Sequence, residues 1–395
     1  MRAVYNEHMK KPAQLDDLHK LKVAIVCDWL TGTGGAERVV LELHKLFPEA
    51  PIYTSQYDHS LDTWYGDTWF ADADVRTTWL QKLPKKLKKF LPVLRAYTFS
   101  RLDLSAYDVV IISSGAEAKA VKTGPNTTSV LYCHAPTHYY WSRYDAYLRH
   151  PGFGLFDPLA QLGLLSLVRP LRRWDYKAAQ KPDFVIANSN HTQSEIKKYY
   201  GRDSVVVFPP VDTNRFQPSP SAATTKDDRY GFVVAGRQTP YKRIDLAVEA
   251  CSNLNLPLTV VGNGPEHNNL TALAGQSVRF LPKVTDTEMA RHFQKAACFI
   301  FPGIDDFGIV AVEAMSAGTP VIAYKAGGAL DYVKPGVTGE FFEEQTVGSL
   351  MAALKSYNSE NYDNSLVKAE AERYNIEQFK INITETIRDY LQRDT

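Results

Sequence analysis

At 395 residues, with 45 basic and 44 acidic side chains and a net charge of +1, the chain lacks the global basic footprint of a nucleic-acid-binding protein. Hydrophobic residues make up 44% and charged residues 23%, which permits a large core, and the length corresponds to two domains. The four cysteines (Cys27, Cys133, Cys251 and Cys298) form no CxxC pair and read as buried thiols in a reducing cytoplasm.

Residues 1–20 mix charges and lack the apolar stretch of a signal peptide, so they read as an N-terminal extension. No window reaches the ~18 consecutive apolar residues a spanning helix requires. Apolar runs at 22–27, 109–112, 129–133, 184–187 and 205–208 alternate with segments of helical period, as in a parallel α/β sheet. A Gly-rich turn, Gly32-Thr33-Gly34-Gly35, follows the first run and leads into a helix over 36–46. Pro209-Pro210 and the polar, Pro/Ser/Thr-rich stretch 217–229 then break the pattern. A second series has strands at 230–235, 258–261, 278–281, 298–301 and 320–324, and a helix closes the chain over 376–391. We therefore place a Rossmann-like domain over 21–212, a linker over 213–229 and a second Rossmann-like domain over 230–375, with a ligand cleft at the carboxyl ends of both sheets.

Several clusters carry chemistry. Arg237 and Lys242 flank a strand-to-helix loop, where two fixed cations can neutralise a diphosphate without a metal. Gly308 opens a helix whose first N–H groups, on Gly308, Ile309 and Val310, can hold a phosphate. Glu313, one turn on in an otherwise apolar helix, needs a partner such as ribose hydroxyls. Gly34 with Gly35, and Gly327 with Gly328, allow close backbone approach to a ligand and supplement the phosphate site. His134 falls at a strand's carboxyl end before Tyr139, Tyr140 and Trp141, whose rings suit sugar stacking on an acceptor; His138 reads as structural. Asp305 and Asp306 precede the helix that Gly308 opens, where capping competes with a ligand role, more strongly for Asp306 than for Asp305. A basic amphipathic stretch containing Lys85, Lys86, Lys88 and Lys89 suits an anionic leaflet as well as it suits packing on the chain's own core. The apolar stretch 155–173 reads as a core or lid helix. Asp72-Ala73-Asp74 has D-x-D spacing away from these loops and reads as chance.

The run Asp305-Asp306-Phe307-Gly308-Ile309-Val310-Ala311-Val312-Glu313 resembles the E-x7-E motif of retaining family-4 glycosyltransferases, with Asp305 where that family usually has Glu. Cys27-Asp28-Trp29-Leu30, Gly34-Gly35-Ala36-Glu37, Cys133-His134-Ala135-Pro136, Arg173-Trp174-Asp175, Ala187-Asn188-Ser189 and Pro209-Pro210-Val211-Asp212 are similar to bacterial mannosyltransferases of the O-antigen and exopolysaccharide type. The resemblance implies a GT-B fold, an α/β architecture of two Rossmann-like domains facing a central cleft, with the C-terminal helix (376–395) crossing back to the first domain. It also implies a nucleotide-sugar donor in the second domain, GDP-mannose foremost, and a lipid-linked or glycan acceptor in the first. Asp305, His134, Arg237 and Lys242 are then the catalytic set, and Lys283 and Val284 read the nucleobase through their backbone. No cofactor, metal or nucleic acid is expected, and the location is cytoplasmic with peripheral contact at the inner face of the plasma membrane. Other UDP-sugar transferases, a GT-B epimerase and a non-catalytic sugar-nucleotide-binding protein are the alternatives.

Overall fold

A computed structural model of the chain describes residues 18, 20–61, 69–84, 91–149, 154, 157–216, 229–282 and 284–393. The first sheet contains β1 (Val23–Cys27), β2 (Ile52–Thr54), β3 (Val75–Thr77), β4 (Val109–Ser114), β5 (Thr128–Cys133), β6 (Phe184–Ala187) and β7 (Val205–Val206), in the order β3-β2-β1-β4-β5-β6-β7. The second contains β8 (Phe232–Ala235), β9 (Leu258–Val261), β10 (Val278–Leu281), β11 (Cys298–Phe301), β12 (Val321–Tyr324) and β13 (Gly339–Phe342), in the order β10-β9-β8-β11-β12-β13. Every pairing is parallel, with β1 and β4 aligned Val23 to Val109 and β8 and β11 aligned Phe232 to Cys298.

Parallel strands covered on both faces must be apolar throughout, which is why β1 (VAIVC) and β11 (CFIF) are continuous hydrophobic runs and fully buried. Strand order reverses between β1 and β4 in one sheet and between β8 and β11 in the other. The loops leaving these strands therefore open the crevice where α/β sheets bind ligands. β7 is shorter than its apolar run because Phe208 leaves the sheet to pack on Phe307 and Tyr374, with ring centroids 5.7 and 5.0 Å away.

The C-terminal helix Ile376–Arg393 returns to the first domain as expected. Phe379, Ile383, Ile387 and Tyr390 lie on one face and join that domain's core, where Tyr390 stacks on Phe184 at 4.1 Å. Each buried side chain of this kind contributes about 1.5–3 kcal/mol. Within the expected linker, Thr213–Phe216 forms a short helix packed on the second domain through Phe216 and an Arg215–Asp286 ion pair at 2.6 Å. The helix Asp157–Ala179 departs from the core expectation: Leu159, Leu162 and Leu165 are 68%, 61% and 54% exposed, and only its second half is anchored, through Val168, Asp175, Ala178 and Ala179. Among the described residues, no helix is long and apolar enough to cross a membrane.

Candidate active site

On the second domain, β8 is followed by Gly236 at φ 143°, and the loop that begins there carries Arg237 and Lys242. Gln238, buried at the base of that loop, donates to the Gly262 carbonyl at 2.8 Å and pairs with His267 at 2.8 Å. Arg237 is exposed and makes no ion pair among the described residues. Lys242 is ion-paired with Asp305. Burial alone would lower the Lys242 ammonium, but Asp305 outweighs it and raises it. The loop after β11 reaches Lys242 because Gly303 passes under it: a Cβ on Gly303 would come within 2.8 Å of the Lys242 carbonyl.

The helix Ile309–Ser316 starts at Gly308, whose φ of 93° and ψ of 55° suit glycine. No side chain caps it, so the capping alternative for Asp306 is not realised; its carboxylate crosses to the first domain. The N–H groups of Ile309 and Val310 remain available to an anion, as expected at a helix start. Gly327 and Gly328 make their close approach to the chain itself: Cβ atoms there would lie 2.6 Å from the Asp305 carbonyl and 2.3 Å from Phe307 Cα, and Gly328 N–H donates to that carbonyl at 2.9 Å. The pair shapes the turn that presents Asp305. Val284 packs partly buried against the second-domain core after β10, and Lys283 lies outside the described residues.

On the first domain, Asp28 follows β1 and organises the loop after β4. It accepts from Ser114 Oγ at 3.0 Å and from the N–H groups of Gly115, Ala116 and Ala118 at 2.9, 3.0 and 2.8 Å. Bonds of this charged kind contribute about 1.5–3 kcal/mol each. Gly115 in turn backs His134, whose Cβ lies 3.5 Å from where a Gly115 Cβ would sit. His134 Nε2 is 2.8 Å from Ser113 Oγ, and its Nδ1 has no hydrogen-bond partner among the described residues. Burial pushes this imidazole down to about 4, against the pull of Asp28 and Asp306, so at neutral pH it is uncharged.

The helix Gly35–Leu46 begins beside the second domain: a Cβ on Gly35 would come within 2.6 Å of Ile309 Cδ1. Two glycine-led helix starts thus face one another across the cleft. The Gly34 N–H already donates to Glu37 Oε2 at 3.0 Å, so the first helix start carries its own carboxylate. One turn on, Arg38 Nη1 donates to Glu313 Oε1 at 3.0 Å. Burial raises the Glu313 carboxyl, and Arg38 opposes that rise. Further contacts across the cleft join His138 to Asp306 at 2.9 Å and Asn190 to Asp331 at 2.6 Å.

The aromatic cluster is a correction. Tyr139 and Tyr140 direct their hydroxyls to buried Glu117, which is also paired with Arg95 at 2.7 Å. Trp141 donates to buried Asp175 at 2.7 Å, alongside Tyr200 and Lys119. The Tyr140 ring is buried and the Trp141 ring packs against Tyr199 at 5.2 Å and Arg172 at 5.4 Å, so neither offers an open face to a sugar, while Tyr139 is half-buried. Asp72 and Asp74 bond His44 and Arg76 beside β3, away from the cleft, as expected. Lys85, Lys86, Lys88 and Lys89 lie outside the described residues. Among the described residues, one group has metal-ligand spacing: His138, Glu195 and Asp306 bring ligand atoms within 4.8 Å, and two of the three are already paired. Arg38, Arg143 and His138 were not legible as site residues, since their partners lie 161 or more positions away in sequence.

Residues 33–215 match the family described as "Glycosyltransferase Family 4", and residues 217–374 match "Glycosyl transferases group 1". The chain belongs to the family-4 glycosyltransferases. The glycosyltransferase is 29% identical over 248 residues to a GDP-mannose-dependent alpha-(1-6)-phosphatidylinositol monomannoside mannosyltransferase of Mycolicibacterium smegmatis, covering 51% of this chain and 65% of that one. It is 30% identical over 203 residues to a D-inositol 3-phosphate glycosyltransferase of Geodermatophilus obscurus, covering 44% of this chain and 45% of that one. These matches span less than two thirds of either relative. In fold it is similar to Anabaena HepE in complex with UDP, with a TM-score of 0.65, 20% identity, and coverage of 93% of this chain and 100% of that one. Sucrose-phosphate synthase of Thermosynechococcus elongatus is similar at a TM-score of 0.67 and 16% identity, covering 94% and 99%. The two parallel sheets are those of the GT-B fold.

Proposed function

We propose that this glycosyltransferase moves a hexose, with retention at the anomeric carbon, from a nucleotide-sugar to a lipid-linked saccharide or glycan in cell-surface polysaccharide synthesis, and that the donor is GDP-mannose. The observation that carries this is the meeting of the Gly35 and Ile309 helix starts, flanked by the Lys242–Asp305 pair on one side and Glu313 on the other. A nucleoside diphosphate fits this arrangement, its phosphates on the Ile309–Val310 N–H groups and its ribose on Glu313.

In this mechanism the anomeric C–O bond breaks first, through an oxocarbenium-like state, and its electron pair goes to the diphosphate oxygen. Lys242 and the exposed Arg237 take up that developing charge. The acceptor hydroxyl attacks from the face the diphosphate leaves, and its proton passes to the leaving oxygen, so no protein nucleophile is needed. Asp305, one methylene shorter than Glu, and the uncharged His134, through Nδ1, hold the hexose hydroxyls. No metal or resident cofactor takes part, so turnover persists in excess chelator.

Support for mannose comes from the mycobacterial relative named for GDP-mannose. Thermal stabilisation by GDP-mannose, UDP-glucose, UDP-GlcNAc and UDP-galactose tests it, since a ligand of the native state raises Tm. Stabilisation by GDP-mannose, followed by GDP release with acceptor, is the expected result; stabilisation by UDP-sugars alone would overturn the donor assignment. The same reading places the enzyme peripherally on an anionic membrane. Trp79, Val93, Leu94 and Tyr97 are exposed on either side of the lysine-rich segment 85–90, and Trp79 bonds Thr98 at 3.0 Å to join them in one patch. Each nearby lysine adds about 1 kcal/mol on an anionic leaflet. Lys85→Glu, Lys86→Glu, Lys88→Glu and Lys89→Glu together should abolish co-sedimentation with anionic vesicles; unchanged binding refutes the membrane contact.

A further inference from the structure

The turn bearing Asp305 is held within its own domain by the Lys242 ion pair, by Phe307 in the core and by the Gly328 N–H on the Asp305 carbonyl. Asp306, the next residue, points the other way. Its Oδ2 lies 2.9 Å from His138 Nε2 and 3.8 Å from Arg143 Nη2, both on the first domain. Arg143 also donates to the Ile304 carbonyl at 3.2 Å and sits 4.3 Å from the centroid of the Tyr241 ring. Ile304 precedes Asp305 and Tyr241 precedes Lys242, so one arginine touches both loops that carry the catalytic ion pair. Ser142 Oγ, 2.9 Å from His138 Nδ1, fixes the imidazole.

We infer that His138 and Arg143 form an inter-domain clamp on Asp306 that sets the Asp305–Lys242 pair only when the cleft is closed, which makes Asp306 a positioning residue for glycosyl transfer. The inference rests on the proposed glycosyl transfer and adds how the two domains are registered for it. The geometry explains why an acid stands at 306. Gly308 caps the helix without a side chain, so Asp306 is not needed there, and a carboxylate is otherwise costly at a site only 22% exposed. Its compensation comes from the opposite domain, so it is lost when the domains part. A 1 Å shift of a reacting group is enough to cost about a hundredfold in rate.

Arg143 brings a positive charge to the clamp, and His138 brings a ring nitrogen within hydrogen-bond distance. The charged and titratable groups around His138 are Asp306 and Arg143, with His191 and Glu195 from the helix Asn190–Tyr200. Burial would raise the Asp306 carboxyl, but His138, Arg143 and His191 hold it well below the usual carboxylate range. Asp306 therefore stays ionised in the clamp.

The test compares Asp306→Asn, His138→Gln, the double variant and His138→Arg in the full-length enzyme. Each single variant should lose about tenfold or more in kcat, and the double should fall no more than about twofold below the worse single, because both remove one contact. Affinity of the free enzyme for the donor's nucleoside diphosphate should change by less than about twofold, since the groups proposed to hold its phosphates and ribose, the Ile309 and Val310 N–H groups and Glu313, all belong to the second domain. His138→Arg, which keeps an N–H donor facing Asp306, should hold kcat within about threefold of wild type, unlike His138→Gln. A kcat within about twofold of wild type in Asp306→Asn, or a parallel loss of nucleotide affinity and Tm, would overturn the clamp. If the wild type transfers no sugar, the glycosyl-transfer reading fails by itself. The clamp is then judged by X-ray scattering, where a larger radius of gyration in Asp306→Asn upholds it and an unchanged one overturns it.

Discussion

Gly308→Ala is the sharpest probe of the donor-side turn. Gly308 sits at φ 93° and ψ 55°, and a Cβ there would come within 2.7 Å of both Phe301 Cζ and Tyr332 Oη, two buried rings. The left-handed backbone costs an L-residue about 1–2 kcal/mol. Forcing a methyl into a packed site adds about 1–3 kcal/mol. The sum, about 2–5 kcal/mol, should lower the second domain's melting transition by about 4 °C or more, at about 2–4 °C per kcal/mol. Gly348→Ala is the control. Gly348 lies in the helix Val347–Ser356 with nothing within 4 Å of its added Cβ, so the change should stabilise by about 0.5–1 kcal/mol. Differential scanning calorimetry of both variants, with and without nucleoside diphosphate, separates strain from ligand loss. A Gly308→Ala transition within about 2 °C of wild type would refute the packing argument, as would an equal fall in Gly348→Ala.

Lys242→Ala leaves the Asp305 carboxylate without its ion pair and removes the proposed diphosphate contact; kcat should fall about 10²–10³-fold in a nucleoside diphosphate release assay, and a fall under about tenfold would remove Lys242 from the mechanism. His134, pushed down to about 4 by burial, resists a proton that the unfolded chain accepts below 6.5, so stability from this residue is complete above pH 6.5 and is lost as pH falls towards about 4. Denaturant titrations across that window should show a shallower acid limb in His134→Gln than in wild type; superimposable limbs would contradict the burial. Trp141→Phe removes the bond to Asp175 and should cost about 1–3 kcal/mol with the acceptor KM unchanged. A raised KM at unchanged Tm would return Trp141 to the acceptor site.

The parts of the fold that were legible share one physical origin. Buried parallel strands such as β1, β4, β5 and β11 must be apolar at every position, and glycines must stand where a strand turns into a helix, so both leave marks in consecutive residues. β2 and β3, three residues each, are too short to carry a period, and β13 opens on Gly339, a residue that strands seldom favour. The exposed leucines of the helix Asp157–Ala179 carry a core-like pattern onto the surface, so hydrophobicity alone misplaced them.

The chain order of residues was enough to define two Rossmann-like halves, the glycine-led helix starts and the Asp305-to-Glu313 stretch, because each is written within a few neighbouring positions. Partnership across the cleft was not. His138 reads as structural, and capping competes with a ligand role for Asp306, until folding brings them within 2.9 Å over a separation of 168 residues. Tyr139, Tyr140 and Trp141 read as a sugar platform until Glu117 and Asp175 claim their polar atoms. A side chain's type constrains which partners it accepts, and only the packing of distant elements selects the one it meets.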